Sequence, residues 1–111
     1  MPLWKCQVCN FVYEGPEPPE KCPKCGAPRN QFKQLSDQEA ELVTRSRRSN
    51  YLHMKALTLL RELLVVAEEL INDNLDPGCV KIANEEKDFA LTTIQKIMAE
   101  LETHMKKGKW G

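Results

Sequence analysis

The amino-acid sequence predicts a small metal-bound β module followed by an all-α helical hairpin, in a chain of 111 residues. Four of the five cysteines form two C-x-x-C pairs that are separated by twelve residues: Cys6, Cys9, Cys22 and Cys25. Six of the seven prolines lie in residues 1–35, whereas the remainder is rich in Leu, Glu and Lys and has helical apolar periodicity. We therefore expect a metal-binding domain over 1–35, a linker or short helix over 36–50, and an antiparallel helical hairpin over 51–111.

The cysteine spacing predicts one tetrahedral metal site with two metal-binding turns, or knuckles. Four thiolates at tetrahedral corners suit either zinc or iron. Each pair is followed by a residue that tolerates a left-handed backbone, Asn10 after the first pair and Gly26 after the second. A domain of about 35 residues buries too little apolar surface to offset its chain entropy, so a bound metal would supply stability.

Short extended segments are expected to surround the first knuckle. The segments 4–9 and 10–14 contain Val8, Phe11, Val12 and Tyr13, residue types that favour strands. Residues 15–20, Gly-Pro-Glu-Pro-Pro-Glu, lack several backbone donors and have restricted dihedral angles. We expect this stretch to be a loop that leads to the second cysteine pair.

A helix start is predicted after the metal module. Ser36 followed three residues later by Glu39 is a capping box, so a helix should begin near Asp37. Residues 37–49 have many charges and only a weak apolar face, formed by Ala40 and Val43. This pattern predicts a short separate helix or a linker.

Two apolar stripes predict a long helix after residue 51. The first stripe consists of Leu52, Ala56, Leu59, Leu63, Val66 and Leu70, and the second of Leu57, Leu60, Leu64, Ala67 and Ile71. Together they form an apolar face that is wider than one partner helix covers. We therefore expect two hairpins to self-associate as a homodimer, in a four-helix bundle.

A reversal of the chain is predicted over residues 72–78. Asp76 and Pro77 suit an N-cap and the first position of a helix. The second helix should run to about Lys107 and stop at Gly108. Its expected apolar face comprises Val80, Ala83, Ala90, Ile94, Ile97, Leu101 and Met105.

Charge and hydropathy exclude several classes of partner. The 16 basic and 16 acidic residues give zero net charge, so we expect no binding to nucleic acid. No apolar run reaches membrane-spanning length, and the first residues do not resemble a secretory signal. The expectation is a cytoplasmic protein without membrane association, where two C-x-x-C pairs indicate metal ligands and not disulfides.

The residues around the cysteines resemble rubredoxin. The segments Trp4–Gly15 and Cys22–Phe32 are most similar to the short rubredoxin-like domain of rubrerythrins, whereas ordinary rubredoxins have a longer insert between the two pairs. The resemblance covers about 35 residues and implies that Cys6, Cys9, Cys22 and Cys25 hold one iron ion, which alternates between Fe²⁺ and Fe³⁺. It also implies electron transfer without an open coordination position, and a small core formed by Trp4, Phe11, Tyr13 and Phe32. The redox partner protein is not identified by the sequence.

Two other functions compete with that of an electron carrier. A non-redox zinc ribbon uses the same four ligands, and the helical face would then bind a partner protein. A peroxidase of rubrerythrin type would need Glu-x-x-His motifs, but Asn50 precedes His53 by three residues and Leu101 precedes His104. We therefore expect no enzyme. Cys79 is expected to be a small core residue, with a reactive thiol at a helix N-terminus as the alternative.

Overall fold

The computed structural model describes residues 1–111, which divide into two compact units. Met1–Arg47 and Lys107–Gly111 form the first unit, and Arg48–Lys106 forms the second. The elements are β1 (Leu3–Cys6), β2 (Val12–Glu14), β3 (Phe32–Gln34), α1 (Asp37–Asp73) and α2 (Pro77–Lys106). The predicted fold class, a small β module followed by two long helices, is confirmed. Neither helix has a stretch with the length and hydropathy that a membrane span requires.

The three strands of the first unit form an antiparallel sheet in the order β2-β1-β3. Trp4 pairs with Tyr13 on β2 and with Gln34 on β3, so β1 is the central strand. The strand β3 was not predicted, because it has only three residues and Phe32 is its only buried side chain. Its pairing with β1 brings the end of the metal-binding segment back beside its beginning.

Residues 36–50 are not a linker or a separate helix, because α1 is continuous from Asp37 to Asp73. The few apolar residues of this segment contribute more than the sequence pattern indicates. Val43 is buried in a cluster with Leu3 and Leu35, and Ala40 packs against the same cluster. The first turns of α1 therefore provide part of the core of the first unit, and burial of these few side chains stabilises the helix there.

Both predicted helix starts have the expected caps. The Ser36 hydroxyl accepts a hydrogen bond from the Glu39 N–H at 3.1 Å, and the Glu39 carboxylate accepts one from the Ser36 N–H at 2.9 Å. At the start of α2, the Asp76 carboxylate accepts a hydrogen bond from the Cys79 N–H at 2.7 Å. Gly108 follows α2 with a φ of 73°, which suits glycine at a helix C-terminus.

The second unit contains antiparallel helical segments. Residues 74–76 join the two helices. Asn50, near the start of the second unit, contacts His104, near its end. Ala67, Ala83 and Ala90 are fully buried, so small side chains line the contact between the helices. These positions confirm the predicted reversal of the chain and most of the predicted apolar face of α2. Met105 is an exception, since it is half exposed.

One apolar stripe of α1 is only partly covered. The second predicted stripe, which includes Ala67, is mostly buried or half-buried. In the first stripe, the residues at seven-residue intervals remain exposed: Leu52 at 53%, Leu59 at 55% and Val66 at 49%. One partner helix therefore leaves a continuous apolar strip on α1. Self-association through this strip stays a prediction.

Candidate metal centre

The two cysteine pairs lie on turns of the same design. In the first turn, the Cys6 N–H donates to the Phe11 carbonyl at 2.8 Å, and the Asn10 N–H donates to the Cys6 carbonyl at 2.9 Å. In the second turn, the Cys22 N–H donates to the Ala27 carbonyl at 2.8 Å, and the Gly26 N–H donates to the Cys22 carbonyl at 2.8 Å. The same pair of backbone hydrogen bonds thus closes each turn around its two cysteines.

The residue after each pair has a left-handed backbone, as the sequence predicted. Asn10 has a φ of 69° and Gly26 a φ of 77°. Glycine adopts this conformation without a steric penalty, and asparagine tolerates it better than most residues. The left-handed residue turns the chain back so that both thiols of a pair point to the same side.

The fold brings all four predicted cysteines together. The Sγ atoms lie within 4.8 Å of one another, with Cys6 and Cys25 3.7 Å apart and Cys9 and Cys22 3.5 Å apart. A tetrahedral ion with metal–sulfur bonds of about 2.3 Å needs sulfur–sulfur separations of about 3.8 Å. The cluster therefore fits one tetrahedral ion, and Cys6, Cys9, Cys22 and Cys25 are the residues that can hold it.

The four thiols differ in their exposure to solvent. Cys6 and Cys22 are buried, Cys9 is half-buried, and Cys25 is exposed. Phe32 is buried against Cys6 and Cys22, and the other residues packed there are Trp4, Cys9, Phe11, Tyr13 and Ala27. The four predicted aromatic residues thus surround the thiols, and the indole N–H of Trp4 donates to the Gly15 carbonyl at 3.0 Å. Bulky apolar side chains exclude water from the inner side of the site, while Cys25 faces outwards.

Backbone N–H groups within the turns stabilise thiolates. Burial opposes ionisation of Cys22, but hydrogen bonds from the N–H groups of Cys25 and Lys24 lower its pKa to about 7. Burial likewise opposes ionisation of Cys6, and N–H groups of Cys9 and Val8 lower its pKa. Such N–H···S bonds stabilise negative charge on a coordinating sulfur and adjust the potential of a bound redox ion.

Cys25 differs from Cys6 and Cys22 because its thiol pKa is raised and not lowered. The Ala27 N–H favours its thiolate, but partial desolvation of this otherwise exposed residue beside the other thiols, and the thiols themselves, outweigh this and raise its pKa to about 12. Like charges crowded within a few ångströms disfavour one another, so the four protons leave in coupled steps. A cation removes this repulsion, and metal binding is accordingly linked to proton release.

The fifth cysteine, Cys79, lies beside an acidic side chain and is not fully buried. Cys79 is half-buried near the start of α2, and its side chain lies beside the Asp76 carboxylate. The hydrogen bond with Asp76, together with burial, raises the pKa of Cys79. This shift is opposite in direction to the lowered pKa expected of a thiol that a helix N-terminus activates.

Buried polar groups at His104 and Glu86 in the helices were not foreseen. His104 is buried, with Nδ1 2.6 Å from the Asn50 Oδ1 and Nε2 3.0 Å from a Glu100 carboxylate oxygen. The neighbouring lysines indicate a solvated face for Glu86, but its Oε2 atom is buried and has no hydrogen-bond partner. The apolar periodicity gives no signal for either group, because both occupy inward positions of otherwise apolar helix faces.

The comparisons with known proteins concern the cysteine-containing segment. The family described as "Rubrerythrin, rubredoxin-like domain" matches residues 4–33. Those residues form a rubredoxin-like domain. This result confirms the resemblance inferred from the sequence and agrees with the four-sulfur cluster. No solved structure matches the chain.

The relatives that match the rubredoxin-like domain are rubrerythrins by name. Over 38 residues the chain is 45% identical to "Reverse rubrerythrin-1" of Clostridium acetobutylicum, a match that covers 34% of this chain and 21% of the relative. A "Putative rubrerythrin" of Methanocaldococcus jannaschii is 59% identical over 29 residues, which are 26% of this chain and 14% of that protein. "Rubrerythrin" of Clostridium perfringens is 53% identical over 30 residues, 27% of this chain and 15% of that protein. The similarity thus spans about a fifth or less of each relative.

Proposed function

We propose that this chain is an electron-transfer module whose rubredoxin-like domain holds one iron ion through Cys6, Cys9, Cys22 and Cys25. The observation that carries the proposal is the cluster of four Sγ atoms within 4.8 Å of one another, in a domain of rubredoxin type. When bound, the ion would supply a one-electron Fe²⁺/Fe³⁺ couple. Four protein ligands complete a tetrahedron, so the residues leave no coordination position for a substrate.

The surroundings of the cluster support this proposal. The turns that carry the thiols are fixed by backbone hydrogen bonds of 2.8 to 2.9 Å, which limits movement of the sulfurs between oxidation states. The N–H groups directed at Cys6 and Cys22 stabilise the more negative, reduced site. The buried aromatic side of the cluster keeps water away, and the exposed Cys25 offers a route to a partner.

Voltammetry of the iron-loaded full chain tests the proposal. We expect a reversible one-electron couple and a red oxidised form that bleaches on reduction. The control is the zinc-loaded chain, which should be colourless and silent in the same potential range. Absence of a couple in protein that contains one iron per chain would refute the proposed electron transfer.

We further propose that the helices form a homodimer through the exposed strip on α1. Leu52, Leu59 and Val66 repeat every seven residues and stay about half exposed, an arrangement typical of helices that pair along a seam. Sedimentation should show a dimer at micromolar concentration, and Leu59→Lys should convert it to a monomer. The control is Thr58→Lys, at a position on the same turn but off the strip. A monomeric parent chain would refute the dimer.

A zinc-ribbon adaptor is the second candidate function. It is favoured by the same exposed strip on α1, which an adaptor would use to bind another protein, and by the equal fit of a four-sulfur site to zinc. An electron-transfer module would contain iron in the native protein and show a one-electron couple, whereas a zinc-ribbon adaptor would contain zinc and show no such couple.

We propose no enzymatic role, because the rubrerythrin similarity ends with the rubredoxin-like segment and the helices lack Glu-x-x-His motifs. A cytoplasmic location is proposed because reduced cysteines are needed to bind the ion.

A further inference from the structure

Charges are segregated along the rubredoxin-like domain. From Lys21 to Leu35 there are four basic residues and no acidic one, namely Lys21, Lys24, Arg29 and Lys33. From Asn10 to Glu20 there are three acidic residues and no basic one, namely Glu14, Glu17 and Glu20. The two halves of the metal-binding segment therefore have opposite charge, although the whole chain is neutral.

Three of the four basic residues surround the second knuckle. Lys21 pairs with Pro28 in an isolated bridge, so Lys21 and Arg29 lie at the base of this turn, and Lys24 lies at its tip beside Cys25. All three side chains belong to exposed residues, and none forms an ion pair. Their charges are thus available to a binding partner.

The fourth basic residue has different surroundings. Lys33 on β3 lies opposite Lys5 on β1. Hydrogen bonds from Ser36 and, to a smaller extent, the charges of Lys33 and Lys5 lower the pKa of Glu39. Part of the charge of Lys33 therefore stabilises the Glu39 carboxylate of the same chain. We call the other three basic residues, Lys21, Lys24 and Arg29, the cationic knuckle.

The cationic knuckle coincides with the exposed ligand. Cys25 is the exposed thiol of the four, and it lies within this turn. Electronic coupling between two redox centres falls steeply with distance, so a partner gains most by approaching the exposed sulfur. With four thiolates, the site would have a charge of about −1 with ferric iron and about −2 with ferrous iron. Three neighbouring cations and the adjacent Glu20 then bring the local charge to about +1 with ferric iron and to about zero with ferrous iron.

Building on the proposed electron transfer, we propose that the cationic knuckle is the docking surface for the redox partner, and that this partner presents a carboxylate-rich surface. Opposite charges on the two proteins accelerate encounter and orient the exposed Cys25 towards the partner. The acidic loop, which we define as Glu14 at the end of β2 together with Glu17 and Glu20 after it, disfavours docking of the same partner on those residues. The attraction between exposed charges is screened by salt.

The surface is tested without electron transfer by NMR on the zinc-loaded full chain. The probe is hexacyanochromate(III), a redox-inert paramagnetic trianion, and the matched control is the trication hexaamminechromium(III). We expect the anion to broaden the amide signals of Lys24, Cys25 and Gly26 about threefold more than signals from α1 or α2. The cation should broaden signals of the acidic loop instead. Equal broadening by the two complexes, or strongest broadening by the anion on the helices, overturns the proposal.

A kinetic measurement on the iron-loaded chain tests the same surface. One electron passes from the reduced site to hexacyanoferrate(III), which becomes hexacyanoferrate(II), with no proton transferred. Lys24→Glu should slow this step about tenfold at low ionic strength and much less at high salt. Lys81→Glu makes the same change in net charge at an exposed position of α2 and should leave the rate unchanged.

The outcomes separate this proposal from the proposed function. Equal rates for the two variants, or a slowing of the Lys24→Glu protein that salt does not remove, would refute the docking surface. An iron-loaded chain without any one-electron couple would instead refute the electron transfer on which it rests. The NMR result on the zinc form shows, independently of that couple, whether anions select the cationic knuckle.

Discussion

Replacement of Val43 by alanine tests the finding that the start of α1 belongs to the first unit. Val43 is 4% exposed and packs with Leu3 and Leu35. Loss of two buried methyl groups costs about 0.8 kcal/mol each in transfer free energy, and the cavity left behind raises the expected total to about 2 to 3 kcal/mol. Alanine has a higher helix propensity than valine, which offsets about 0.5 kcal/mol of this loss of stability.

A matched control isolates the burial effect. Val65 lies on the same helix but is 55% exposed and does not belong to the exposed strip of Leu52, Leu59 and Val66. Val65→Ala has the same gain in helix propensity and should change the free energy of unfolding by less than about 0.5 kcal/mol.

Urea denaturation of the zinc-loaded chain at fixed free zinc provides the comparison. Both tryptophans, Trp4 and Trp110, lie in the first unit, so their fluorescence reports its unfolding. Fixing the free metal concentration is necessary because metal binding contributes to the apparent stability. If Val43→Ala lowers the free energy of unfolding no more than Val65→Ala does, the first turns of α1 do not contribute to the core of the first unit.

Other substitutions test the caps, the buried carboxylate and the ligands. Asp76→Ala should lower stability by about 1 kcal/mol in thermal unfolding followed by circular dichroism, with Asp73→Ala as a near-neutral control. Hydrogen bonds from Cys79 and Gly78 lower the pKa of Asp76 in the folded chain below its unfolded-state pKa of 3.8. The stabilisation by the Asp76 cap should therefore be complete above pH 3.8 and disappear as the pH falls through the lower, folded-state pKa. A stabilisation by the cap that does not weaken in acid would contradict this assignment. Glu86→Met should stabilise the helices by about 1 kcal/mol, whereas Glu85→Met at an exposed position should have little effect, because only Glu86 has a buried oxygen without a partner. Cys9→Ser should reduce metal retention against a chelator at least about tenfold and unfold the first unit while helical circular dichroism persists; unchanged metal content would exclude Cys9 as a ligand.

The ligand set and the capped helix ends could be predicted from the sequence because local chemistry determines them. Two equally spaced cysteine pairs fix the geometry of the turns, and Asn10 and Gly26 are residues that the left-handed backbone accepts. The capping box at Ser36 and Glu39 needs only residues three apart. Such signals do not depend on where the rest of the chain lies.

The missed features depend on tertiary contacts. The strand β3 has three residues, and it exists because Lys5 and Cys6 on β1 offer it hydrogen-bonding partners. The first turns of α1 contain only two apolar residues of the core, but Val43 meets Leu3 and Leu35 from other parts of the sequence. Glu86 follows the helical period of buried positions although its side chain is acidic. Periodicity predicts which face a residue occupies, not which group covers it.

The metal and redox behaviour of the native protein test the central claim most directly. The chain should be purified anaerobically from its own host, and its metal content should be measured before a redox titration of the visible absorption. We predict about one iron per chain and a reversible one-electron transition. A native protein that contains only zinc and has no such transition would contradict electron transfer and favour the zinc-ribbon adaptor.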